Sequence, residues 1–434
     1  MRTSESKRLY ERIEKSVPSA THSNSRMRVP HPLFFQRAKG AHLWDVDGNR
    51  WIDFTMGNAA VLLGHGNEQV RDAVVAALDA GLGAGVESEL SGTVAEAFLS
   101  MVNQAEKVRF TNTGTEAMMH AVHTARAVTG RSRVAKTEGA YHGWWDDVFV
   151  STWPDLTKAG AHEAPNSLPG ASGLSPQSVE ASLVIPFNDL DAARRRLTEA
   201  KDQIAALVVE PVMIDVGLIP PHDGYLQGLR DITRELGIAL IFDELLTGFR
   251  VGTGGAQGHY GVQPDLAIWG KALANGFPIA ALSGTAEYMA RTLAGPNNSS
   301  FIGTFNGYRP ALAACLATLK QLADGTVIQR VQRRSLELKE GFEQLGREHG
   351  VPVQLSTIGG HFQPYFTAEA VVDYRSAATT DAAAYARWAS SVEAAGILVP
   401  GKPLLHAAFS AAHQDADFGA LLDATDKAFT KTEA

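Results

Sequence analysis

Short apolar runs, each ended by a charge or a turn residue, alternate with amphipathic stretches along most of the chain. Uniformly apolar runs are typical of strands buried on both faces, and the intervening stretches repeat with the period of a helix. The alternation predicts an α/β fold with a mainly parallel, doubly wound sheet. The strands predicted for this sheet are residues 107–111, 133–137, 182–185, 205–209, 238–242, 266–269 and 278–283.

Helices are predicted between these strands and ahead of them. The N-terminal part differs, because three apolar segments with an Asp47-Gly48 turn between the last two predict a small antiparallel meander. The 434 residues are enough for two domains, or for one large domain with a lobe. The predicted helices are residues 5–16, 68–80, 93–102, a segment ending near 128, 189–200 and 224–236.

Charged residues stand at the ends of three of the predicted strands. Glu210 follows one of them, Asp243 follows the next along the chain, and Lys271 follows a third. The carboxyl ends of parallel strands meet at one edge of a sheet, and α/β proteins bind ligands in the crevice outside that edge. We therefore expect these three side chains to share one site.

An aspartate and a lysine in such a crevice suit the chemistry of pyridoxal 5'-phosphate (PLP). A lysine that loses solvation becomes a nucleophile and can form a Schiff base with a carbonyl. A buried aspartate can keep a heterocyclic nitrogen protonated, as PLP requires of its protein. The alternative is that Asp243 caps a helix and Lys271 is solvated, the usual state of a lysine. The shared sheet edge with two acids favours the PLP site over that alternative.

The strand at 107–111 runs directly into the turn Asn112-Thr113-Gly114-Thr115-Glu116 and then into a helix. The first turn of a helix offers free backbone amides and a positive dipole end, which suit a phosphate. Thr115 could instead simply cap this helix, and the pattern alone leaves both interpretations open.

Tyr141 follows the strand at 133–137 and could stack on a planar ring. The adjacent His142 lies near two aspartates but lacks a third well-spaced ligand, so we expect no metal site. The glycine-rich residues 252–255 lie in a loop and open no predicted helix, which argues against a dinucleotide fingerprint.

Composition limits the partners and the compartment. An apolar share of 45% and a charged share of 20% are ordinary for a globular protein. The formal charge of −8, with no basic run, argues against nucleic acid as a partner. The single Cys315 excludes an intrachain disulfide. The charged N-terminus, and the lack of any membrane-length apolar run, predict a soluble, cytoplasmic protein without membrane association.

Several motifs together resemble a known family. They are Asp243-Glu244 with Thr247-Gly248-Phe249-Arg250, Pro264-Asp265-Leu266, and Gly270-Lys271, with weaker matches nearly end to end. The chain resembles the class III, fold-type I PLP aminotransferases, in the branch of glutamate-1-semialdehyde aminomutase and its aminotransferase relatives. The resemblance implies a large PLP-binding domain over residues 61–308. It also implies a small domain built from residues 1–60 and 309–434.

The resemblance also assigns roles to individual residues. It implies that Lys271 binds PLP as a Schiff base and that Asp243 pairs with the pyridinium nitrogen. Phosphate contacts fall to Gly114 and Thr115 and, from the neighbouring subunit of an obligate homodimer with a shared active site, to Thr304. The cofactor ring is expected to lie between Tyr141 and Leu245, with Glu210 on its hydroxyl side.

The substrate is harder to predict. Arg26 lies where relatives use an arginine for a substrate carboxylate, although Arg28 fits as well because the loop is shorter here, and either could be a surface arginine. The C-terminal segment 400–406 lacks the arginine of some β-amino-acid transaminases, and its His406 suits a less acidic or bulkier substrate. The motif Phe305-Asn306-Gly307-Tyr308 also departs from the aminomutase pattern.

The expected function is therefore an aminotransferase that moves an amino group between an amino acid or amine and a keto or aldehyde acceptor. The first alternative is a glutamate-1-semialdehyde-type 2,1-aminomutase or a PLP-dependent epimerase, neither of which needs an external acceptor. The second is a binding protein of the same fold without catalysis, and the intact set of Tyr141, Asp243 and Lys271 argues against it.

Overall fold

The computed structural model of the protein describes residues 2–83 and 85–430. Its helices are α1 Ser4–Ile13, α2 Glu68–Asp79, α3 Glu89–Met101, α4 Gly114–Thr129, α5 Pro176–Ala181, α6 Leu190–Glu199, α7 Tyr225–Leu236, α8 Gly255–Tyr260, α9 Ala286–Met289, α10 Arg309–Leu322, α11 Thr326–Glu348, α12 Tyr374–Ala378, α13 Ala382–Ala394 and α14 Asp415–Thr430. Its strands are β1 Phe35–Lys39, β2 His42–Asp45, β3 Arg50–Asp53, β4 Lys107–Thr111, β5 Arg133–Thr137, β6 Gly160–Ala161, β7 Ala164–Pro165, β8 Ser182–Ile185, β9 Ile204–Val209, β10 Ala239–Asp243, β11 Leu266–Trp269, β12 Ala280–Gly284, β13 Gln354–Ile358, β14 His361–Tyr365, β15 Ile397–Leu398 and β16 Ala407–Ala408.

A seven-stranded sheet forms the centre of the molecule, with the order β4-β12-β11-β10-β9-β5-β8. Pairing is parallel from β11 to β8, and β12 is antiparallel to both of its neighbours. Because β12 reverses twice, β4 runs in the same direction as the parallel strands. The carboxyl ends of six strands therefore lie at one edge, and the predicted mainly parallel α/β sheet is confirmed.

The central strands are apolar throughout because both faces of the sheet are covered. Along β9, Leu207 and Val209 pack in one core cluster, whereas Ala206 and Val208 pack in a second cluster with α4. The same alternation continues in β10, where Leu240 belongs to the first cluster and Ile241 to the second. Two packed layers thus hold the strand ends in fixed positions.

Two smaller sheets combine distant parts of the chain. The N-terminal meander β1-β2-β3 is confirmed, and its last strand pairs in parallel with β15 near the C-terminus. A second sheet, β13-β14-β16, is antiparallel throughout. The domain boundaries at 60 and 308 stay predictions.

Several sequence-based expectations need adjustment. The helix predicted over residues 93–102 begins earlier, at Glu89, and the glycine-rich loop at 252–255 does lead into a helix, α8. Between β5 and β8, the chain contains the short hairpin β6-β7 and the helix α5. Cys315 is buried in α10. No helix among the described residues is by itself long and apolar enough to cross a membrane, and α10 and α11 reach that length and composition only as a pair bent by 70°.

Candidate active site

Lys271 lies two residues beyond β11, at the first position of a short 3-10 turn that ends at Ala274. Its φ of 49° is in the left-handed region, which a non-glycine residue adopts at a cost of about 1–2 kcal/mol. Asn275 holds this turn, because its side chain accepts from the amide of Leu63 and donates to the carbonyl of Gly64. The backbone around the lysine is therefore fixed by contacts and not by local preference.

Asp243 is the last residue of β10 and is buried. Its carboxylate accepts a hydrogen bond from the amide of Leu245 at 3.1 Å, and it pairs with Nδ1 of His142 at 2.9 Å. Burial lowers the pKa of the His142 imidazole, which Asp243 opposes. A neutral His142 donates through Nδ1–H, so that Nε2 is left as a buried acceptor without a partner. The hydrogen bond with His142 fixes the orientation of the Asp243 carboxylate. The carboxylate can still accept a hydrogen bond from a further donor.

Replacing His142 by phenylalanine is expected to lower kcat by about 10–100-fold, the effect of losing one hydrogen bond to a charged group of about 1.5–3 kcal/mol. The ring volume is kept, so that the main loss is the orientation of the Asp243 carboxylate. Steady-state kinetics of the PLP-loaded variant provide the measurement, with the exposed His222→Phe as control. Wild-type kinetics in the His142 variant would show that Asp243 needs no such support.

The N-terminus of α4 closes another side of the site. Thr113 caps the helix in a capping box with Glu116, so that capping falls to Thr113 and not to Thr115. The Thr115 hydroxyl instead accepts from the amide of Trp144 at 3.2 Å. A Cβ added at Gly143, whose φ is 106°, would lie 2.7 Å from Thr115 Oγ1. The loop at Gly143 is therefore so close to the start of α4 that only glycine fits there.

Leu245 packs tightly between two glycines of the site. A Cβ at Gly114 would lie 2.5 Å from Leu245 Cδ1, and a Cβ at Gly270 would lie 2.7 Å from Leu245 Cδ2. The leucine thus joins the start of α4, where a phosphate is expected, to the residue before Lys271. These contacts explain why both neighbouring positions are glycine.

Tyr141 is half-buried, and its ring stacks in parallel on Trp153 with centroids 5.7 Å apart. Phe149 meets the same tyrosine edge-on, at 6.0 Å. Trp153 also donates from its indole nitrogen to the backbone carbonyl of Asp215 at 2.9 Å. The tyrosine is therefore held by aromatic neighbours, one of which is linked to the acidic side of the site.

Glu210 and Asp215 form that acidic side. One oxygen of Glu210 accepts from the amides of Ile214 and Asp215, while Oε1 is buried without a partner. Burial, then Asp215 and then Asp243 raise the pKa of Glu210 well above its ordinary value. Burial also raises the pKa of Asp215, against the opposing charge of Lys271. The charge of Lys271 therefore acts on this acidic side of the site.

The remaining predicted residues have different surroundings. His406 is buried, with Nδ1 3.9 Å from the Asp215 carboxylate. Arg28 donates to the Glu393 carboxylate and to the Val399 carbonyl, which leaves Arg26, exposed after a 3-10 turn, as the freer of the two arginines. Thr304 is exposed.

Sequence reasoning misses two contributors to this site. His142 is weighed there only as a metal ligand, whereas it pairs with Asp243. Asp215 receives no role, although its short spacing from Glu210 is a signal that the sequence contains. By sequence, Trp153 could equally line a pocket or serve as packing, and it stacks on Tyr141. No group of three or more histidine, cysteine, aspartate or glutamate side chains among the described residues is arranged to hold a metal ion.

The residues at the sheet edge fit PLP. Asp243 has an accepting carboxylate for the ring nitrogen, the amides at the start of α4 suit the phosphate, and Lys271 supplies the amine. The orphaned Glu210 Oε1 is a further group in need of a polar partner, which the ring hydroxyl can provide. A separate open cleft of 520 Å³ lies at the opposite edge of the sheet, around Arg131 and Arg133, and both arginines already donate to backbone carbonyls.

The chain is similar to known proteins over nearly its whole length. Residues 23–385 match the family model of the class-III aminotransferases. A glutamate-1-semialdehyde 2,1-aminomutase of Methanococcus maripaludis is 38% identical over 427 residues, 98% of either chain. An omega-transaminase from Sphaerobacter thermophilus superposes with a TM-score of 0.93 at 32% identity, covering 99% of this chain and 98% of that one. A transaminase solved with PLP bound matches with a TM-score of 0.89 at 26% identity over 100% of both chains.

The family, fold and cofactor expected from the sequence are thereby confirmed. The curated relative carries the name of the alternative function, the aminomutase, and the two solved structures carry the name transaminase. The protein is an enzyme of the class-III aminotransferase family, with fold type I and PLP as its cofactor.

Proposed function

We propose that the protein is an aminotransferase that moves an amino group between an amine or amino acid and a keto or aldehyde acceptor. PLP supplies a ring that accepts negative charge from the substrate carbon. Lys271 holds the cofactor and moves a proton at its Nζ as general base and acid. Asp243, fixed by His142, keeps the ring nitrogen protonated.

The other predicted residues complete the proposed site. The amides of Gly114 and Thr115 bind the phosphate, while Tyr141 and Leu245 enclose the ring and Glu210 orients its hydroxyl side. Arg26 and His406 are proposed to contact the substrate.

The observation that carries the choice of aminotransferase is the charge of the groups around Lys271. Glutamate 1-semialdehyde has a carboxylate, which a protein recognises best with a free guanidinium. The charge of Lys271 acts on Asp215 and on the imidazole of His406, whose pKa burial lowers, and the nearby guanidinium of Arg250 donates to backbone carbonyls. The groups beside the lysine therefore offer a substrate carboxylate no free guanidinium, and the exposed Arg26 is the group proposed to meet one. This weak fit to glutamate 1-semialdehyde beside the lysine favours acceptor-dependent amine transfer.

The aminomutase is the second candidate, because the curated relatives with 38–39% identity over nearly the whole chain carry that name. An epimerase on the same scaffold is a further form of this alternative. Neither reaction needs an external amino acceptor, and that difference separates them from an aminotransferase.

The experiment compares two reactions of the PLP-loaded protein. In the first, a panel of amino donors is added singly, and we expect one of them to bleach the visible band of the bound cofactor until a keto acid restores it. In the second, glutamate 1-semialdehyde is added alone, and we expect no conversion to the isomer with a shifted amino group. Conversion of the semialdehyde without donor or acceptor would establish the aminomutase instead.

We also propose that the enzyme is a homodimer in which Thr304 reaches the phosphate bound by the other subunit. Support comes from the apolar residues beside Thr304, because Ile302 is 82% exposed and Phe305 is 57% exposed. Large apolar side chains at such exposure mark an interaction surface when they cluster.

Replacing Ile302 by aspartate is expected to convert a dimer into a monomer and to lower PLP occupancy, since a charge in an apolar interface costs several kcal/mol. Light scattering after gel filtration measures the mass, and absorbance measures the bound cofactor. Leu336→Asp, at an exposed leucine in α11, is the matched control. A monomeric wild-type protein, or an unchanged mass in the Ile302 variant, would contradict the proposed interface.

A further inference from the structure

His406 is a buried side chain, 8% exposed, and neither ring nitrogen has a hydrogen bond of ordinary length and angle within the described part of the chain. Its one polar backbone neighbour of note is Ile214, whose weak contact raises the pKa of the imidazole only slightly against the effect of burial. A buried polar atom without a partner costs about 1–3 kcal/mol, so that native proteins rarely retain one without a ligand or water to meet it. The unpaired imidazole therefore indicates a position that a bound molecule completes.

The surroundings of His406 connect it to the reacting lysine. Its Nδ1 lies 3.9 Å from the Asp215 carboxylate, too far for a hydrogen bond but close enough for one atom to bridge the two groups. The charge of Lys271 acts on both side chains: it opposes the burial that raises the pKa of Asp215, and it adds to the burial that lowers the pKa of His406. The pair thus lies beside the proposed site of amine transfer.

The neighbouring His361 does not satisfy His406. The two rings meet edge to face with centroids 4.9 Å apart. His361 Nε2 lies 3.0 Å from the Leu246 carbonyl, which can only accept, so this nitrogen carries the proton. Nδ1 of His361 is then a second bare acceptor, and it too lacks a partner. The two imidazoles and the Asp215 carboxylate are thus three acceptor groups to which a bound donor could hydrogen-bond.

The groups here disfavour an anionic partner. Burial, then Lys271 and then Arg250 lower the pKa of His406 to about 3, which leaves it neutral. Asp215 and Glu210 are acids, and an added carboxylate would repel their ionised forms. The buried Lys136 donates to the carbonyls of Ala140 and Val150, and Arg250 is similarly occupied.

We propose that His406 and Asp215 form a specificity subsite that binds a hydroxyl or ammonium group which the substrate carries beyond its reacting carbon. A hydroxyl donates to the Asp215 carboxylate and accepts from the N–H of His406. An ammonium donates to both Asp215 and the bare imidazole nitrogen. This inference rests on the proposed aminotransferase, and it names the substrate class as amino alcohols and diamines.

The test uses the PLP-loaded protein and four primary amines of equal length: 5-aminopentan-1-ol, 1,5-diaminopentane, pentylamine and 5-aminopentanoate. Stopped-flow bleaching of the bound-cofactor band gives a second-order rate constant for each amine. The same four types of amine with four-carbon and six-carbon chains test other distances between the reacting amine and the second polar group. We expect the amino alcohol and the diamine to exceed the amino carboxylate by at least about tenfold at one of these lengths, since each 1.4 kcal/mol is tenfold.

Two variants link the selectivity to the subsite. Asp215→Asn, which removes the acid but keeps its shape, is expected to narrow the preference for the diamine over 5-aminopentanoate by at least about fivefold. His406→Phe is expected to slow the amino alcohol at least about fivefold more than pentylamine. Both readouts are ratios of rate constants for two amines. A general loss of folding or of cofactor slows both amines alike and therefore leaves these ratios unchanged.

The possible failures are distinct. A preference for 5-aminopentanoate, reaction with carboxylate-bearing donors alone, or equal slowing of all four amines by His406→Phe would overturn the subsite. If a cofactor band is present but neither these amines nor alanine or glutamate bleaches it, the proposed aminotransferase itself is wrong.

Discussion

Replacing Lys271 by alanine is expected to lower turnover by at least about 10³-fold, because one side chain both binds the cofactor and transfers the proton. The fold should be retained, since the lysine side chain forms no part of the packed core and Asn275 holds its turn. Turnover with the best amino donor and the thermal midpoint of the same preparation provide the two measurements.

The control for this variant is Lys320→Ala, which removes an exposed lysine from α10 and is expected to keep wild-type activity. Normal turnover in the Lys271 variant would remove the basis of the assigned mechanism. Loss of both turnover and folding would contradict the view that this lysine is held by its backbone and not by its side chain.

Replacing Arg250 by methionine is expected to destabilise the folded chain by about 3 kcal/mol, the range for breaking a buried charged network. Its guanidinium is buried without an acid partner, and it donates to the carbonyls of Ala59, Gly359 and Phe409. Methionine keeps the length of the chain but leaves these acceptors unpaired, at about 1–3 kcal/mol each. Part of this cost is offset because the charge, whose pKa burial lowers to about 9, no longer has to be desolvated.

Urea unfolding of the wild type and the variant measures this difference, provided that the slope of the transition is unchanged. Arg333→Met, at an exposed arginine of α11, is the matched control and should shift stability by no more than about 0.5 kcal/mol. An Arg250 variant as stable as the wild type would show that its three carbonyl contacts, which join segments distant in the sequence, are dispensable.

The central sheet was predictable because its strands are buried on both faces. Residues such as Val208 and Val209 pack on opposite sides of the sheet. Because every residue of such a strand is buried, the strand is recognisable in the sequence as a continuous apolar run. The direction of the strands follows from the helices between them, so that Asp243 and Lys271 could be assigned to one edge before any coordinates. The antiparallel β12 left no comparable signal, since an apolar run does not encode its direction.

Contacts between distant residues were not predictable in the same way. Nothing local indicates that His406 lies beside Asp215, because this proximity depends on how the C-terminal segment packs on the large sheet. Arg26 and Arg28 are equivalent by sequence, and only the contact with Glu393 separates them. The proposed role of Thr304 depends on a second subunit, and the pattern of apolar and polar residues in one chain does not show how two subunits contact each other. Residues fixed by strand ends were thus accessible to sequence reasoning, and residues fixed by tertiary packing were not.

Trapping of the cofactor tests the central claim most directly. The PLP-loaded protein is reduced with borohydride, which converts the bond between cofactor and lysine into a stable amine, and the labelled peptide is then sequenced by mass spectrometry. The account predicts a single label on Lys271 and none on Lys136, a fully buried lysine. A label on another lysine, or none in a protein that has bound PLP, would contradict the account.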